Sequence, residues 1–422
     1  MKITIHRGID QIGGCITEIE SSNGTKILID LGHSLPDGDN KVADELDTPS
    51  NLSNILKGVS HVFYSHYHGD HIGFEAKIPT EITQHMGELA IKMISILKEH
   101  MTHADDLKDD AEASLDALVQ FEAYKPYERK QYGDIWITAL SVSHSALDAY
   151  MFLIECDGRI ILHTGDFRDH GYNAQEKLEE IEKFLSKNVD ILITEGTMLG
   201  RGDKRVMSEE ELQEMAITKL GKYNFVMCSS MDIDRIASFF LACRKSKRDM
   251  RIIADRYQME QIKAVKGSLG KPYDELFVYP YGRDMEKEFD RMKRHGFLMF
   301  VRDSSTFISR IKETIDKTSL QPSQIKFFYS QFSGYIKPDH KAFKKSLYDF
   351  VHQYDWDVVE LHTSGHASKE ALQRIVEISE PSVAIIPIHK EGKGTFQQLN
   401  LSVTCPVIEE SCMVDDINIQ IK

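Results

Sequence analysis

The strongest constraint on the fold is the regular alternation of strand-length apolar runs with stretches of helical period. Runs rich in Ile, Val, Leu and Phe recur along the whole chain, as at Lys26–Leu31, Arg159–His163 and Val383–Ile388. Between such runs, Gly87–His100 and Ser368–Ser379 place apolar residues at helical spacing. Strands that alternate with helices predict an α/β fold.

The same alternation divides the chain into segments. Residues 201–355 contain their own series of strands and helices, together with most of the basic clusters. One of these helices is expected to begin at Ser208, because Ser208 and Glu211 have the spacing of a capping box. We therefore predict an inserted domain at 201–355, between residues 1–200 and 356–422, which form the two parts of a first domain.

Composition limits the partners of this chain. Its 422 residues are 41% hydrophobic and 28% charged, as in ordinary folded proteins. The net charge of −15 repels phosphate backbones in general, so any contact with nucleic acid must be local. Basic runs at 244–248 and 291–294 could supply it, although solvated helix faces explain them better. Aromatic residues at 327–329, 332 and 335 could stack on bases, although core packing explains most of them better.

The sequence also favours a location inside the cell. Its six cysteines are widely spaced without a CxxC pair, which is typical of a reduced protein. The first residues lack an apolar signal core, and we find no apolar run long enough to span a bilayer. We therefore predict a cytoplasmic protein with no membrane partner.

The segment His61–Gly73 carries the clearest chemical signal. A short apolar strand leads into His66, His68, Asp70 and His71, which form the pattern HxHxDH. On a loop that leaves a strand, the two histidines at 66 and 68 can face one point, while Asp70 and His71 reach a second. Imidazole and carboxylate groups are ligands of Zn²⁺, with Mn²⁺ as the alternative ion.

Further metal donors follow other predicted strands. Asp30 ends the run in KILIDLG, His144 lies in LSVSHSA, Asp166 in ILHTGDF and His389 in AIIPIHK. Each of these residues alone is as well explained by a capping or buried polar role. Together with the HxHxDH pattern, they predict a site for two divalent cations built at strand ends.

The order of Asp30, the HxHxDH run, His144 and Asp166 resembles that of the motifs of the metallo-β-lactamase superfamily. Three later features resemble the motifs A, B and C of its β-CASP group of nucleases, to which the ribonuclease J family and the cleavage and polyadenylation endonuclease belong: Glu195 in ITEGT, His366 in HTSGHAS and His389 in PIHKEG. The resemblance implies an αββα sandwich with an inserted α/β β-CASP domain.

The resemblance also implies roles for individual residues. One metal ion would be held by His66, His68 and His144, and the other by Asp70, His71 and His389, with Asp166 bridging the two. Asp30 would orient a ligand imidazole without contacting metal. The catalytic residues would be Asp70, Glu195 and His366.

The expected activity is hydrolysis of RNA by water activated on two metal ions, Zn²⁺ being favoured over Mn²⁺. In the β-CASP group a histidine at motif C accompanies RNA processing, so His389 favours RNA over DNA. His362, Ser364 and His366, in the same HTSGH loop, are the expected phosphate-binding residues. A DNA nuclease of the same chemistry, a hydrolase of small esters or lactones, and a non-catalytic binding subunit are the alternatives.

Overall fold

The computed structural model describes residues 1–36, 39, 44–185, 189–201, 205–246, 248–282, 285–391, 395–396, 399, 401 and 403–422. The chain forms two compact units. The first comprises Met1–Leu35, Val42–Arg205 and Gly365–Lys422, and the second comprises Pro36–Lys41 and Val206–Ser364. The predicted α/β class with an insertion is confirmed.

The first unit contains most of the strands. Its strands before the insertion are β1 (Lys2–Arg7), β2 (Ile16–Glu20), β3 (Lys26–Ile29), β4 (Val59–Phe63), β5 (Thr83–Gly87), β6 (Glu122–Tyr124), β7 (Arg129–Tyr132), β8 (Ile135–Val142), β9 (Ala149–Cys156), β10 (Arg159–His163) and β11 (Ile191–Glu195). Its helices before the insertion are α1 (Pro49–Leu56), α2 (Gly69–Ile72), α3 (Glu88–Met101), α4 (Lys108–Leu118) and α5 (Ala174–Phe184).

The second unit is a parallel α/β domain. Its helices are α6 (Glu209–Lys219), α7 (Ile233–Lys245), α8 (Arg256–Val265), α9 (Met285–His295), α10 (Ser305–Thr318) and α11 (Lys345–Val351). Its strands are β12 (Tyr223–Met227), β13 (Arg251–Ala254), β14 (Tyr279–Pro280), β15 (Phe297–Val301), β16 (Ile325–Tyr329) and β17 (Asp357–Glu360). They form one sheet in the order β14-β13-β15-β12-β16-β17, and every pairing is parallel.

The chain then returns to the first unit with α12 (Lys369–Ser379), β18 (Ala384–Ile388), β19 (Cys412–Val414) and β20 (Ile417–Ile421). One sheet of this unit has the order β19-β20-β1-β2-β3-β4-β5-β6, and the other has the order β18-β11-β10-β9-β8-β7. Apolar side chains of both sheets pack face to face in one core, which includes Ile5 and Ile27 from the first sheet and Phe152 and Ile193 from the second. This is a β-sandwich.

Helices cover the sandwich. On the outer face of the second sheet, Leu178 and Ile181 of α5 and Leu372 and Ile375 of α12 pack against the strands in a separate apolar cluster. On the other sheet, α3 lies against β5 and β6. The order of layers is therefore α, β, β, α, as the resemblance implied.

One expectation about the insertion needs correction. Strand β17 pairs with β16 in the second unit, although we predicted that the final part of the first domain begins at residue 356. Its parallel pairing extends the insertion's sheet by one strand.

The side chains of Phe327, Phe328 and Tyr329 are fully buried in the second unit. They pack in the core, which is the use that the sequence favoured for most of these aromatic residues.

A capping box explains where α6 begins, and ion pairs show how the basic runs are used. Ser208 and Glu211 form the predicted capping box at the start of α6. In the basic runs, Lys245 is paired with Glu214, and Arg291 with Glu288. These pairs fit the solvated-face explanation, while Lys247 lies outside the described residues.

A search of the described residues for a helix long and apolar enough to cross a membrane finds none.

Candidate metal centre

The candidate site lies at the ends of the strands of the first unit. Strand β10 pairs in parallel with β11, which pairs in parallel with β18, and β9 runs antiparallel to both β8 and β10. The carboxyl ends of β8, β10, β11 and β18 therefore meet at one edge of the sheet. His144, Asp166, Glu195 and His389 lie at or just beyond these ends. The topology thus gathers residues far apart in sequence.

The HxHxDH segment follows β4 in the other sheet and forms the short helix α2. The backbone N–H of Cys15 donates to the carbonyl oxygen of Asp70, and that of Leu31 donates to the carbonyl oxygen of His71. At Gly32 a Cβ atom would collide with the backbone of Asp70, so only glycine permits this close approach. Close packing against the backbone of Asp70 therefore explains why KILIDLG ends in glycine.

Three imidazole nitrogens form the first ligand group. Nε2 of His66 lies 3.0 Å from Nδ1 of His68, and Nε2 of His144 lies 3.2 Å from the same atom. Tetrahedral zinc with bonds of about 2.0–2.1 Å would separate its nitrogen ligands by about 3.3 Å, so this group could hold one such ion. Burial lowers the pKa of His68 to about 4 and lowers the pKa values of His66 and His144 well below the usual range. The rings are neutral and suited to coordination.

A second ligand group contains Asp70, His71 and His389. Oδ2 of Asp70 lies 3.3 Å from Nε2 of His389 and 3.8 Å from Nε2 of His71. Burial opposes ionisation of Asp70, but the charges of His71 and His389 and a hydrogen bond from His389 outweigh it and lower the pKa of Asp70. The carboxylate is therefore available as a ligand.

Asp166 lies close to residues of both groups. Its Oδ2 lies 3.3 Å from Nε2 of His71 and 3.5 Å from Nε2 of His389. A ligand atom of Asp166 is also within 4.8 Å of those of His66 and His71. Burial raises the pKa of Asp166, but His389, His71 and His366 together lower it well below its usual value. An ionised carboxylate in this position could bridge two cations.

Asp30 orients two of the imidazoles. Its Oδ2 accepts from Nδ1 of His71 at 2.8 Å and from the hydroxyl of Ser65 at 2.8 Å. Because that hydroxyl donates to Asp30, its oxygen accepts from Nδ1 of His66 at 3.0 Å. Both rings then carry a hydrogen on Nδ1, and Nε2 is the nitrogen that faces the ligand groups.

One buried nitrogen tests whether these residues fit a cation. Nε2 of His71 is buried and has no hydrogen-bond partner in the described part of the chain, although it faces the carboxylates of Asp70 and Asp166. An unsatisfied buried polar atom costs free energy unless another group satisfies it. A divalent cation would satisfy it, so the residues present fit the metal that the ligand set suggests.

Glu195 and His366 lie beside Asp166. Oε1 of Glu195 accepts from the backbone N–H groups of Phe167 at 3.0 Å and Ala367 at 3.2 Å. Oε2 forms an ion pair with Nδ1 of His366, 3.2 Å away. Burial lowers the pKa of His366, but the charges of Glu195 and Asp166 outweigh burial and raise it. This pair can therefore present a proton-bearing imidazole next to the ligand groups.

The structure brings together most of the residues that the sequence singled out. The ligand candidates at 66, 68, 70, 71, 144, 166 and 389, with those at 30, 195 and 366, lie in the first unit in the contacts given above. His362 and Ser364 belong to the second unit, and their role in binding phosphate stays a prediction.

Sequence reasoning missed three neighbours of the site. Ser65 supports His66, and the hydroxyl of Thr197 lies 2.7 Å from Nδ1 of His389. The thiol of Cys15 is within 4.8 Å of ligand atoms of His71 and His389. No spacing rule identifies such residues, although Ser65 adjoins His66 and Thr197 follows Glu195 by two positions.

Comparisons with known proteins find similar sequences and a similar fold. The sequence profile of the Metallo-beta-lactamase superfamily matches residues 16–79. Ribonuclease J of Helicobacter pylori (strain ATCC 700392 / 26695) is 22% identical over 433 residues, with 97% of this chain and 59% of that protein covered. Ribonuclease J of Mycoplasma genitalium is also 22% identical, with 97% and 71% covered. The chain thus spans about three fifths of the length of its Helicobacter relatives.

Two further similarities concern an archaeal relative and the fold. The Probable RNase MJ4 of Methanocaldococcus jannaschii is 26% identical over 209 residues, which cover 47% of this chain and 45% of that protein. A crystal structure of a protein of unknown function from Enterococcus faecalis V583 matches with a TM-score of 0.72 and 20% identity, covering 96% of this chain and 97% of that one. At this identity the match shows the fold alone. This chain is therefore similar to the metallo-β-lactamase superfamily in the matched segment, and to ribonuclease J over nearly its whole length.

Proposed function

We propose that the protein is a metal-dependent ribonuclease that hydrolyses phosphodiester bonds at the centre described above. The observation that carries this proposal is the position of Asp166, whose carboxylate lies between a group of three histidines and a second group of mixed ligands. Support also comes from relatives named ribonuclease J, which are similar to this chain over 97% of its length. The chemistry of both groups suits phosphate ester hydrolysis.

In this proposal the ligand sets are those that the sequence suggested. His66, His68 and His144 would hold one ion, Asp70, His71 and His389 the other, and Asp166 both. Bound divalent cations would activate water and neutralise charge on the phosphate. The nitrogen-rich first group favours Zn²⁺, whereas the carboxylates of the second group also tolerate Mn²⁺.

The residues of this chain would then place the reacting groups. Asp30 and Ser65 keep the ligand rings in one orientation, which limits the reorganisation needed on binding. Cleavage of a P–O bond expels an alkoxide that needs a proton. His366, held through Nδ1 by Glu195, would donate that proton from Nε2 or bind the phosphate oxygens.

The proposed substrate class rests on one residue position. His389 occupies the position at which histidine accompanies RNA processing in the β-CASP group, so RNA is favoured over DNA. His362 and Ser364 would contribute to phosphate binding from the HTSGH loop. The cytoplasmic location stays a prediction.

An assay on matched substrates tests this proposal. Purified protein loaded with Zn²⁺ or Mn²⁺ is incubated with labelled RNA and with DNA of the same sequence. We expect cleavage of RNA, and loss of at least about 10³-fold in rate for His68→Ala and Asp166→Ala. His103→Ala, at an exposed histidine outside the site, is the matched control and should retain full activity. Full activity of the His68 variant would refute the proposed site, and cleavage of DNA alone would refute the substrate.

A further inference from the structure

Cys15 is a buried thiol beside the second ligand group, and the proposed function does not use it. It lies between the end of β1 and the start of β2 and is 1% exposed. Its Sγ and ligand atoms of His71 and His389 all lie within 4.8 Å of one another. All three residues belong to the first unit. Thiolate sulfur and imidazole nitrogen are both ligands of Zn²⁺, so these side chains form a candidate ligand set.

The backbone holds the thiol at this position. The N–H of Cys15 donates to the carbonyl oxygen of Asp70 at 3.1 Å, and the N–H of His389 donates to the carbonyl oxygen of Gly8 at 2.6 Å. The φ angle of Gly8 is 115°, and a Cβ atom built there would lie 3.2 Å from Sγ of Cys15. Glycine both permits this conformation and leaves the space that the thiol fills.

A buried cysteine often serves only as a small apolar side chain. Cys156 is of this kind, because it packs among the apolar residues of the sandwich core. Cys15 has a different neighbour in His71. Nδ1 of His71 is bonded to Asp30, while its Nε2 is buried and has no hydrogen-bond partner within the described ranges. This nitrogen is independent evidence that the cluster is built to bind a cation.

We propose that Cys15 is a further ligand of the ion at the second ligand group, which its sulfur binds as a thiolate. The inference rests on the part of the proposed function that places an ion at that group, and it does not depend on the substrate. The S–H bond is replaced by a bond to the ion, and the thiol proton leaves to solvent.

A thiolate changes which ion the second group prefers. Sulfur ligands select Zn²⁺, whereas Mn²⁺ favours oxygen ligands. The carboxylates of Asp70 and Asp166 alone would tolerate Mn²⁺. With Cys15 in the ligand set, the second group favours Zn²⁺ as the first group does. The inference therefore decides between the two ions that the proposed function leaves open.

Cobalt(II) reports directly on a sulfur ligand. A bond between Co²⁺ and a thiolate gives a charge-transfer band in the near ultraviolet, which nitrogen and oxygen ligands do not give. The starting protein is the full chain with Cys405→Ser and Cys412→Ser, which removes the two cysteines that are only partly buried. We expect its cobalt form to show the band and the addition of Cys15→Ser to abolish it. Cys156→Ala, which removes a buried thiol outside the site, is the matched control and should keep the band.

Each other result of this experiment counts against the proposal. A starting protein that binds cobalt without the band, or a band that survives Cys15→Ser, would overturn it. If Cys15→Ser does not fold, ¹¹³Cd NMR of the starting protein decides, because a sulfur ligand moves the cadmium signal far downfield. A signal at the position typical of nitrogen and oxygen ligands would overturn the proposal. A starting protein that binds no metal ion would overturn the ion site itself.

Metal affinity gives a second readout. We expect Cys15→Ser to weaken the binding of one Zn²⁺ by at least about ten-fold, and to weaken the binding of Mn²⁺ less, both measured by competition with a chelator. Equal losses for the two ions would contradict a sulfur ligand. Cleavage of RNA by a protein whose cobalt form lacks the band would overturn this inference and leave the proposed function standing. The band in a protein that cleaves no RNA would do the reverse.

Discussion

The hydroxyl of Thr197 lies 2.7 Å from Nδ1 of His389 and 3.0 Å from the carbonyl oxygen of the same residue. The other ring nitrogen of His389, Nε2, faces Oδ2 of Asp70 at 3.3 Å and Oδ2 of Asp166 at 3.5 Å. Thr197 therefore supports the ring from the side opposite the carboxylates, and leaves Nε2 directed at the ligand groups.

Thr197→Val is the substitution that tests this relationship. Valine keeps the shape of threonine but has no hydroxyl, so the His389 ring loses its support. We expect the affinity for the more weakly bound Zn²⁺ to fall by about 10–100-fold, measured by competition with a chelator. Thr197→Ser keeps the hydroxyl and should keep the affinity. Equal affinity in the valine variant and the wild type would show that Thr197 has no such role.

Asp30→Asn should weaken the centre from the opposite side. The φ angle of Asp30 is 59°, a left-handed conformation that asparagine tolerates, so the backbone should not be disturbed. The carboxylate accepts from His71, whereas an amide NH₂ in its place would face a ring hydrogen. We expect a 10–100-fold loss of metal affinity with an unchanged far-UV circular dichroism spectrum. Retention of both ions at wild-type affinity would argue against the orienting role.

Glu195 and His366 should behave as one catalytic unit. Because Glu195 contacts Nδ1 of His366, removal of either side chain removes the function of both. We expect Glu195→Gln and His366→Asn each to lower kcat by about 10²–10³-fold, and the double variant to be hardly slower than the worse single variant. Additive losses in this double-mutant cycle would indicate independent roles.

His85 should make stability depend on pH. Its ring stacks on that of Phe63, with 4.5 Å between the ring centroids. Burial lowers the pKa of His85 to about 3, and the charges of His61 and Lys130 contribute less. Between this value and the unfolded value of about 6.5 the unfolded chain binds the extra proton, so stability falls as pH falls. We expect His85 alone to cost at most ~2 kcal/mol on going from pH 7 to pH 5.

His85→Phe removes the titrating group and keeps an aromatic ring against Phe63. The free energy of unfolding, measured with urea at pH 7 and pH 5, should change less in this variant than in the wild type. His103→Phe, at an exposed position, is the control and should leave the difference between the two pH values as it is in the wild type. An equal loss in the wild type and the His85 variant would contradict the assignment.

The sequence predicted the site best where candidate metal ligands directly follow strands. Asp166 and His389 follow β10 and β18, which both pair in parallel with β11, so their ends meet at one edge of a sheet. The HxHxDH run follows β4 in the other sheet of the sandwich. Asp30 was expected behind a ligand ring and accepts a hydrogen bond from His71. These predictions depend on residue type and strand order, which a sequence carries directly.

Other features could not be predicted from the sequence for physical reasons. Thr197 contacts His389, a residue 192 positions away, and such a contact leaves no periodic signal in the sequence. The end of the insertion was misplaced because the partner of β17 follows from the topology of the parallel sheet, not from its short apolar run. The basic runs carry too little local context to distinguish binding residues from paired surface charges.

The number of metal ions per chain tests the central claim most directly. Native mass spectrometry of the zinc-loaded protein should find two ions in the wild type, one in His68→Ala and one in His389→Ala, because each substitution removes a ligand from a different group. The His103→Ala control should retain both ions. A wild type that binds one ion at saturation, or a His68 variant that still binds two, would contradict the account.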